Sequence, residues 1–545
     1  MKEAFSSLFK GLVDNSKEKF FHFLEKYNPC GPAERRKSFL NKPETFLFIL
    51  FALLTFIMVL FHEPWRDEAQ GYLIVRELSV SQLIMQLKNE VHFPVWYLFI
   101  FPFVKLGGTL FAVNILHWLL ACTIAYLILE KFPFRLLTRT ALIFSFPLFF
   151  EFCVVARNYT IGFLLLTIIL LFWKDLWKNT YLMAVLLALT LLTDIFFGGF
   201  VLGLCICIFI QAFQQKKLKE KRFLLSVCIV FFAVLTSFFL LFHFSAGESF
   251  LPHAADNALK GDLFTWKHCI IKPLELICGF LGMKSIFTIF LFLLICWKLH
   301  KSTEGLILWL VNTFFIYCAF AIGGFDSIRH LSFFLAGAVV AFTLLLLQEK
   351  EEKIRKKKTS FPGKILNIVL FLLLFFCGIR QVEKSAMALW KEVLYDFSHG
   401  KYTAEFLKEQ YRDAEVFLTD ATYYTPVIGA MKGKKFYSLS WSKYVAFSFW
   451  RPVRSIDLSR IPEKVLRELP PEADYGLYTA MIYDLPQKKS ENMFLIYSSI
   501  ETQSWIWNKQ SNEYYWILLI ARPEKAHLFR NKYPLYDPAD YVIKR

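Results

Sequence analysis

The chain has 545 residues and a mass of 64.0 kDa; 56% of them are apolar, 20% charged and 18% aromatic, with 62 Phe and a mean hydropathy of +0.43. A soluble domain carries about a quarter of its residues as charges and cannot bury this much apolar surface in one interior, so disorder, a collagen-like chain and a plain soluble enzyme are excluded. What remains is an α-helical polytopic membrane protein, and the net charge of +17 then reads as basic loops on the cytoplasmic side rather than as a nucleic-acid footprint.

Residues 1–44 are Lys-rich, with Phe and Leu about a helical turn apart (Phe5, Leu8, Phe9, Leu12; Phe20, Phe23, Leu24, Tyr27). This predicts an amphipathic segment on the cytoplasmic leaflet; its apolar residues never form the continuous run of a signal peptide. Arg35, Arg36, Lys37 and Lys42 precede the first apolar stretch, Phe46 to Phe61, which should therefore run from inside to outside. The next stretch, Pro94 to Val104, is short for a crossing, which takes about 17–25 residues. If it lies on the outside without crossing, spans follow near 109–129, 136–153, 159–173, 180–193, 196–213, 223–243, 274–297, 304–322, 330–347 and 364–381. The basic groups Lys131/Arg135/Arg139, Lys174/Lys178, Lys216 to Arg222, Lys298/Lys301 and Lys350 to Lys358 then all face the cytoplasm. The expectation is about eleven transmembrane helices in the module 45–381, with the C-terminal region 382–545 outside the cell's inner membrane.

That C-terminal region is richer in charge and Pro. Short β-type runs (Glu415–Leu418, Lys435–Leu439, Met493–Tyr497, Tyr514–Ile520) alternate with helical patterns (Glu405–Arg412, Glu463–Leu469), predicting an extracytoplasmic α/β domain. No Cys follows Cys377, so this domain must fold without disulfides. Most of the 11 Cys sit in apolar runs, where Cys serves as a small hydrophobe.

The same topology leaves a definite set of polar residues outside. The first outer loop, 62–108, opens with His62-Glu63-Pro64-Trp65-Arg66-Asp67-Glu68-Ala69-Gln70. Pro64 can start a helix with Asp67 and Glu68 in its first turn, where acids favour the positive end of the dipole. On a helix the two carboxylates point about 100° apart, so only one can face a given site. The bland alternative is a solvated cap with an Arg66 salt bridge. Farther on, His92 precedes Pro94, Trp96 and Tyr97, as in an interfacial segment; a structural, hydrogen-bonded His is the alternative there. Arg157, in the hinge Val155-Ala156-Arg157-Asn158-Tyr159, stands between two apolar spans. An Arg at membrane depth costs about 2.5–3.5 kcal/mol on insertion scales, so it is rarely idle unless it snorkels to the headgroups. Arg329 and His330 stand at another outer span mouth, either as an anion site or as half of a surface pair with Asp326. The Asn158-Tyr159-Thr160 sequon falls at a span edge, the wrong place for a glycan. Walker, GxSxG, dinucleotide and soluble metal-site patterns are absent. A carboxylate base beside separated arginines at the lipid edge suits a phosphate-headed lipid substrate.

Trp65-Arg66-Asp67-Glu68-Ala69-Gln70, His92-x-Pro94-x-Trp96-Tyr97, Ala156-Arg157-Asn158-Tyr159 and Arg329-His330 resemble the GT-C superfamily of integral-membrane glycosyltransferases, in particular the bacterial relatives of protein mannosyltransferases and aminoarabinose transferases. The resemblance covers nearly the whole chain. It implies a polyprenyl-phosphate sugar donor taken from the outer leaflet and an acceptor hydroxyl on a glycan, lipid or protein. It also implies Asp67 as base with Glu68 as its neighbour or a second acceptor contact, Arg157 and Arg329 on the lipid phosphate, and His92, Tyr159 and His330 as secondary contacts. No cofactor is required; a divalent cation (Mg or Mn) beside Asp67 and Glu68 is compatible but not demanded. One departure stands out: where such proteins often show a His before a Gly, this chain has Thr193-Asp194-Ile195-Phe196-Phe197-Gly198, which leaves the role of Asp194 open.

Two other classes of function share some of these features. A lipid or polysaccharide transporter also has many spans and intramembrane charge, but it often shows duplicated halves and charges near mid-span. A non-catalytic envelope scaffold gives no reason for two arginines at span mouths.

Overall fold

The computed structural model describes residues 43–87, 90, 92–243, 271–323, 328–351, 361–419, 421, 424–448, 456–481, 484–499 and 514–541. Residues 1–42 of the amphipathic segment, nearly all of the loop 244–272, Asp326 and the basic run Lys353 to Lys358 lie outside the described residues.

Long apolar runs become helices because, away from water, only intrasegment bonds can satisfy every backbone group. In chain order the bundle begins with α1 (Pro43–Phe61), α2 (Arg66–Glu77), α3 (Val80–Gln86), α4 (Pro94–Lys105), α5 (Leu110–Lys131) and α6 (Leu136–Ile143). A π-helical turn, Pro147–Glu151, leads towards α7 (Tyr159–Phe172), α8 (Thr180–Leu191), α9 (Gly198–Gln214) and α10 (Lys221–His243). Then come α11 (Lys272–Leu281), α12 (Ser285–Leu299), α13 (Thr303–Gly323), α14 (Ile328–Glu351) and α15 (Phe361–Leu394). Among the described residues, seven helices are long and apolar enough to cross a membrane, and α11 with α12 makes an eighth candidate bent by 84°. Gly282 sits at that bend with φ +69°, the left-handed conformation that closes a helix and that a side chain would oppose.

The eleven expected spans all appear as helical segments. Three are shorter than a crossing requires: 136–153 is divided between α6 and the π turn, α7 has 14 residues, and α8 has 12. The segment expected not to cross, α4, is also only 12 residues long and packs against α2, with Val95 N donating to Leu192 O at 3.3 Å. Two of the expected basic groups have polar partners within the bundle: Arg139 pairs with Glu44 at 3.1 Å and Lys298 donates to Asn367 at 3.1 Å.

The last helix, α15, passes position 381 without a break and runs to Leu394, leading into α16 (Gly400–Gln410) and a six-stranded mixed sheet. Its elements are β1 (Val416–Leu418), α17 (Thr425–Ala430), β2 (Phe436–Ser438), β3 (Lys443–Val445), α18 (Ile461–Glu468), β4 (Tyr475–Ala480), β5 (Met493–Ser498) and β6 (Trp516–Ala521), in the order β3-β2-β1-β4-β6-β5. β1 is parallel to β2 and β4; the other pairs are antiparallel. The protein is thus a helical polytopic membrane protein with a C-terminal α/β region.

The first loop and the α/β region share one apolar core. Tyr72, Leu73, Leu83, Trp96 and Ile100 pack in the same cluster as Leu407, Val416, Val427, Leu477 and Ile517. The polar complement of that contact is Gln70, whose Nε2 donates to Ser448 O at 2.7 Å while its Oε1 accepts from Ser448 N at 2.9 Å. Thr425 Oγ1 adds a bond to Arg66 O at 2.8 Å. Gln70→Ala should cost about 1–3 kcal/mol, because both polar groups of a buried peptide lose their partner. Gln70→Glu should cost more, since it also sets a carboxylate against Glu90, 3.0 Å from the Gln70 amide. Chemical unfolding in detergent checks both.

Candidate functional site

The site is built where α2 begins. Trp65 is extended at the N-cap and Pro64 precedes it, so the helix starts at once and places Asp67 and Glu68 in its first turn, as the sequence predicts. The two acids then part. Asp67 forms an ion pair with Arg157, lies 3.7 Å from Arg329 Nη1 and 3.5 Å from Arg66 Nε. Glu68 turns the other way: its Oε1 accepts from Ala156 N at 2.6 Å, and its Oε2 accepts from Trp65 N at 3.2 Å and meets His62 Nε2 at 2.9 Å. Burial alone would raise the pKa of Asp67, but Arg157, then Arg66 and Arg329, outweigh it and hold the carboxyl well below the usual carboxylate range.

Arg157 comes from the hinge between the π turn and α7. Its ion pair with Asp67 uses Nη1, and Nη2 contacts His92 Nε2. A guanidinium only donates, so His92 Nε2 must accept, which leaves the ring proton on Nδ1. That proton is donated to Asp194 Oδ2 at 3.0 Å. His92 is therefore a neutral imidazole of defined tautomer, and burial, followed by the charge of Arg157, lowers its pKa. Asp194, whose role the sequence left open, is the group that orients this ring. Asn158 reinforces it, its Nδ2 donating to Asp194 Oδ2 at 2.8 Å and to Thr193 O at 3.0 Å; a glycan could not reach this buried amide.

The remaining expected residues join the same cluster. Arg329 lies over the Trp65 ring at 4.7 Å, and Arg157 over the Tyr159 ring at 5.8 Å. Tyr159 Oη is 3.0 Å from His330 Nε2, and the His330 ring stacks on Phe196 at 4.3 Å with the planes 7° apart. Asp67, His92, Arg157, Tyr159, Arg329 and His330 thus form one contiguous group, from which Glu68 is turned aside. Sequence reasoning missed Asn158, Glu68's partner His62, which stands in the same run, and His62's other partner Glu392, which lies 330 positions from it and carries no local signal.

Among the described residues no group of three or more His, Cys, Asp or Glu is arranged to hold a metal ion. Both acids considered for a divalent cation are engaged, Asp67 by guanidinium groups and Glu68 by backbone N–H groups and His62. An apolar cavity of about 610 Å³ is walled by Leu137, Leu281, Phe342, Phe371 and Phe375, and none of the cluster's residues lines it. It shares Leu142, Ser145, Leu335 and Val339 with a smaller one of about 100 Å³ that reaches Phe152 and Ser332. The Phe152 ring is 6.1 Å from that of Tyr159.

No family model and no curated protein sequence matches the chain. Among solved structures it is similar to the crystal structure of ArnT from Cupriavidus metallidurans bound to undecaprenyl phosphate, with a TM-score of 0.45 and 10% identity, covering 87% of this chain and 97% of that one.

Because Asp67 and Arg157 are mutual partners, the losses from Asp67→Asn and Arg157→Ala should not add. A double-mutant cycle read by unfolding in detergent at pH 7 should give a coupling of about 1–3 kcal/mol.

Proposed function

We propose that the protein is a membrane glycosyltransferase that moves a sugar from a polyprenyl-phosphate-linked donor to an acceptor hydroxyl on the outer face of the inner membrane, with inversion. The observation that carries this reading is one carboxylate, Asp67, held between the guanidinium groups of Arg157 and Arg329 at the mouths of membrane helices. Arginines in that setting suit a lipid phosphate.

Asp67 is a weak base while the arginines neutralise it. A donor phosphate brings its own negative charge to Arg157 and Arg329 and draws them from Asp67, whose basicity then rises. Asp67 takes the proton of the acceptor hydroxyl, and the oxygen attacks the anomeric carbon. The bond from that carbon to the phosphate oxygen breaks, and its electron pair leaves with the polyprenyl phosphate. The arginines stabilise the charge that grows there, more strongly for lying among apolar walls. One displacement inverts the configuration. A retaining route needs a second carboxylate about 5–5.5 Å away as nucleophile, and Glu68 is committed elsewhere. His92, fixed by Asp194, keeps Arg157 aimed; Tyr159 and His330 line the same wall.

On this reading the α/β region faces outward, and its contact with α2 supports a role in selecting a glycan, lipid or protein acceptor. Asp67→Asn should abolish transfer from a radiolabelled polyprenyl-phosphate sugar in protein that still folds, though with a lower melting temperature because Arg157 loses its partner; wild-type turnover would remove Asp67 as the base. Arg157→Ala should weaken binding of undecaprenyl phosphate about 10- to 100-fold, the worth of one or two charge-assisted hydrogen bonds. Unchanged binding in a lipid titration would overturn the phosphate assignment.

A further inference from the structure

The buried cluster behind Glu68 has no part in the chemistry above. His62 follows the last residue of α1, and its side chain has no exposure to solvent. Its Nε2 lies 2.9 Å from Glu68 Oε2, its Nδ1 lies 2.5 Å from Glu392 Oε1 on α15, and the Phe397 ring covers it at 4.9 Å. Two ionised carboxylates can only accept, so both ring nitrogens must carry protons.

We propose that His62 is a positioning residue: as an imidazolium clamped between Glu68 and Glu392, it holds Glu68 where that carboxylate sets Asp67 opposite Arg157. The inference rests on the transferase reading and deepens it. Glu68 accepts from the backbone N–H of Trp65, at the turn that carries the base. It also accepts from that of Ala156, the residue before Arg157. One carboxylate thus ties the two turns together. Without the cation between them, Glu68 and Glu392 would repel each other, and Glu68 would leave one or both of its backbone partners. A misplacement of about 1 Å in a catalytic group can cost about a hundredfold in rate.

The charges facing His62 are Glu68 and Glu392 in direct contact. Glu63 on its own turn, Glu151 on the π turn and His117 on α5 lie within electrostatic reach. Burial disfavours the imidazolium, but Glu68 and Glu392 outweigh it and push the pKa up to about 10. Since that value is raised above the ordinary 6.5, the clamp is complete below pH 6.5, holds through neutrality and is lost as pH rises through about 10.

The test uses the full chain in phospholipid nanodiscs, with undecaprenyl phosphate as the probe and tryptophan fluorescence as the readout from pH 7.5 to 10.5. Wild-type affinity should hold to about pH 9 and then fall. His62→Gln should bind at least tenfold more weakly at pH 7.5 and lack the alkaline fall beyond what Lys and Tyr titration leaves in every variant. His62→Lys, which restores a cation, should return to within threefold of wild type. Glu392→Gln should move the fall down by at least one pH unit, a change that mere loss of packing would not produce. Selective ¹⁵N-histidine NMR, assigned by difference from the His62→Gln variant, or from Glu392→Gln if that one does not fold, should show both His62 nitrogens protonated at pH 8. A neutral His62 at that pH, wild-type binding by His62→Gln, or an unmoved fall in Glu392→Gln would overturn the clamp. If the wild type binds no undecaprenyl phosphate, the donor assignment fails, and the NMR signature still decides the state of His62.

Discussion

The ion pair between Asp67 and Arg157 is the constraint on which the rest of this structure depends. It joins the first turn of α2 to the hinge before α7, two segments 90 positions apart, at a place where Arg157 is buried and Asp67 only partly exposed. An unpaired charge at such a site would cost several kcal/mol, so the surrounding chain must bring the partners together. It does so through backbone as much as through side chains. Glu68 pins Ala156, Asp194 and Asn158 fix His92, and His92 in turn limits where the guanidinium of Arg157 can point.

The α/β region belongs to this arrangement rather than hanging beside it. Its helix α17 rests on α2, Gln70 treats the Ser448 peptide as a neighbouring strand would, and the apolar residues of both form a single cluster. The helix that carries the proposed base is therefore supported on one side by the membrane bundle and on the other by the sheet. This double support holds a short helix of 12 residues that, on its own, would be marginal.

The parts legible in the sequence were those whose cause is local. Apolar runs of span length declared themselves, and Pro64 followed by two acids announced a helix start. Positive charge arranged along one face brought Asp67, His92, Arg157, Tyr159 and Arg329 to the same end. Four of the six strands were legible as β-type runs. The other two were not: β3 is three residues at the sheet edge, and β4 contains Gly476, where a Cβ would come within 2.8 Å of the Phe417 ring, so close packing replaced the usual β-branched signal. Roles set by distant partners were also hidden. Glu68 looked like a companion of the base until His62, Ala156 and Glu392 could be placed around it, and Asp194 had no evident partner until the fold brought His92 beside it.

The unbroken course of α15 has a mechanical consequence. Its 34 residues make a rod of about 50 Å, while the hydrocarbon of a bilayer is only about 30 Å thick. No hinge interrupts it between the bundle and Leu394, and Glu392 near its far end is locked to His62. The sheet therefore rides on a stiff mast rather than on a flexible tether. For the transferase proposed above, the length of that mast would act as a ruler for which acceptors can offer a hydroxyl to Asp67.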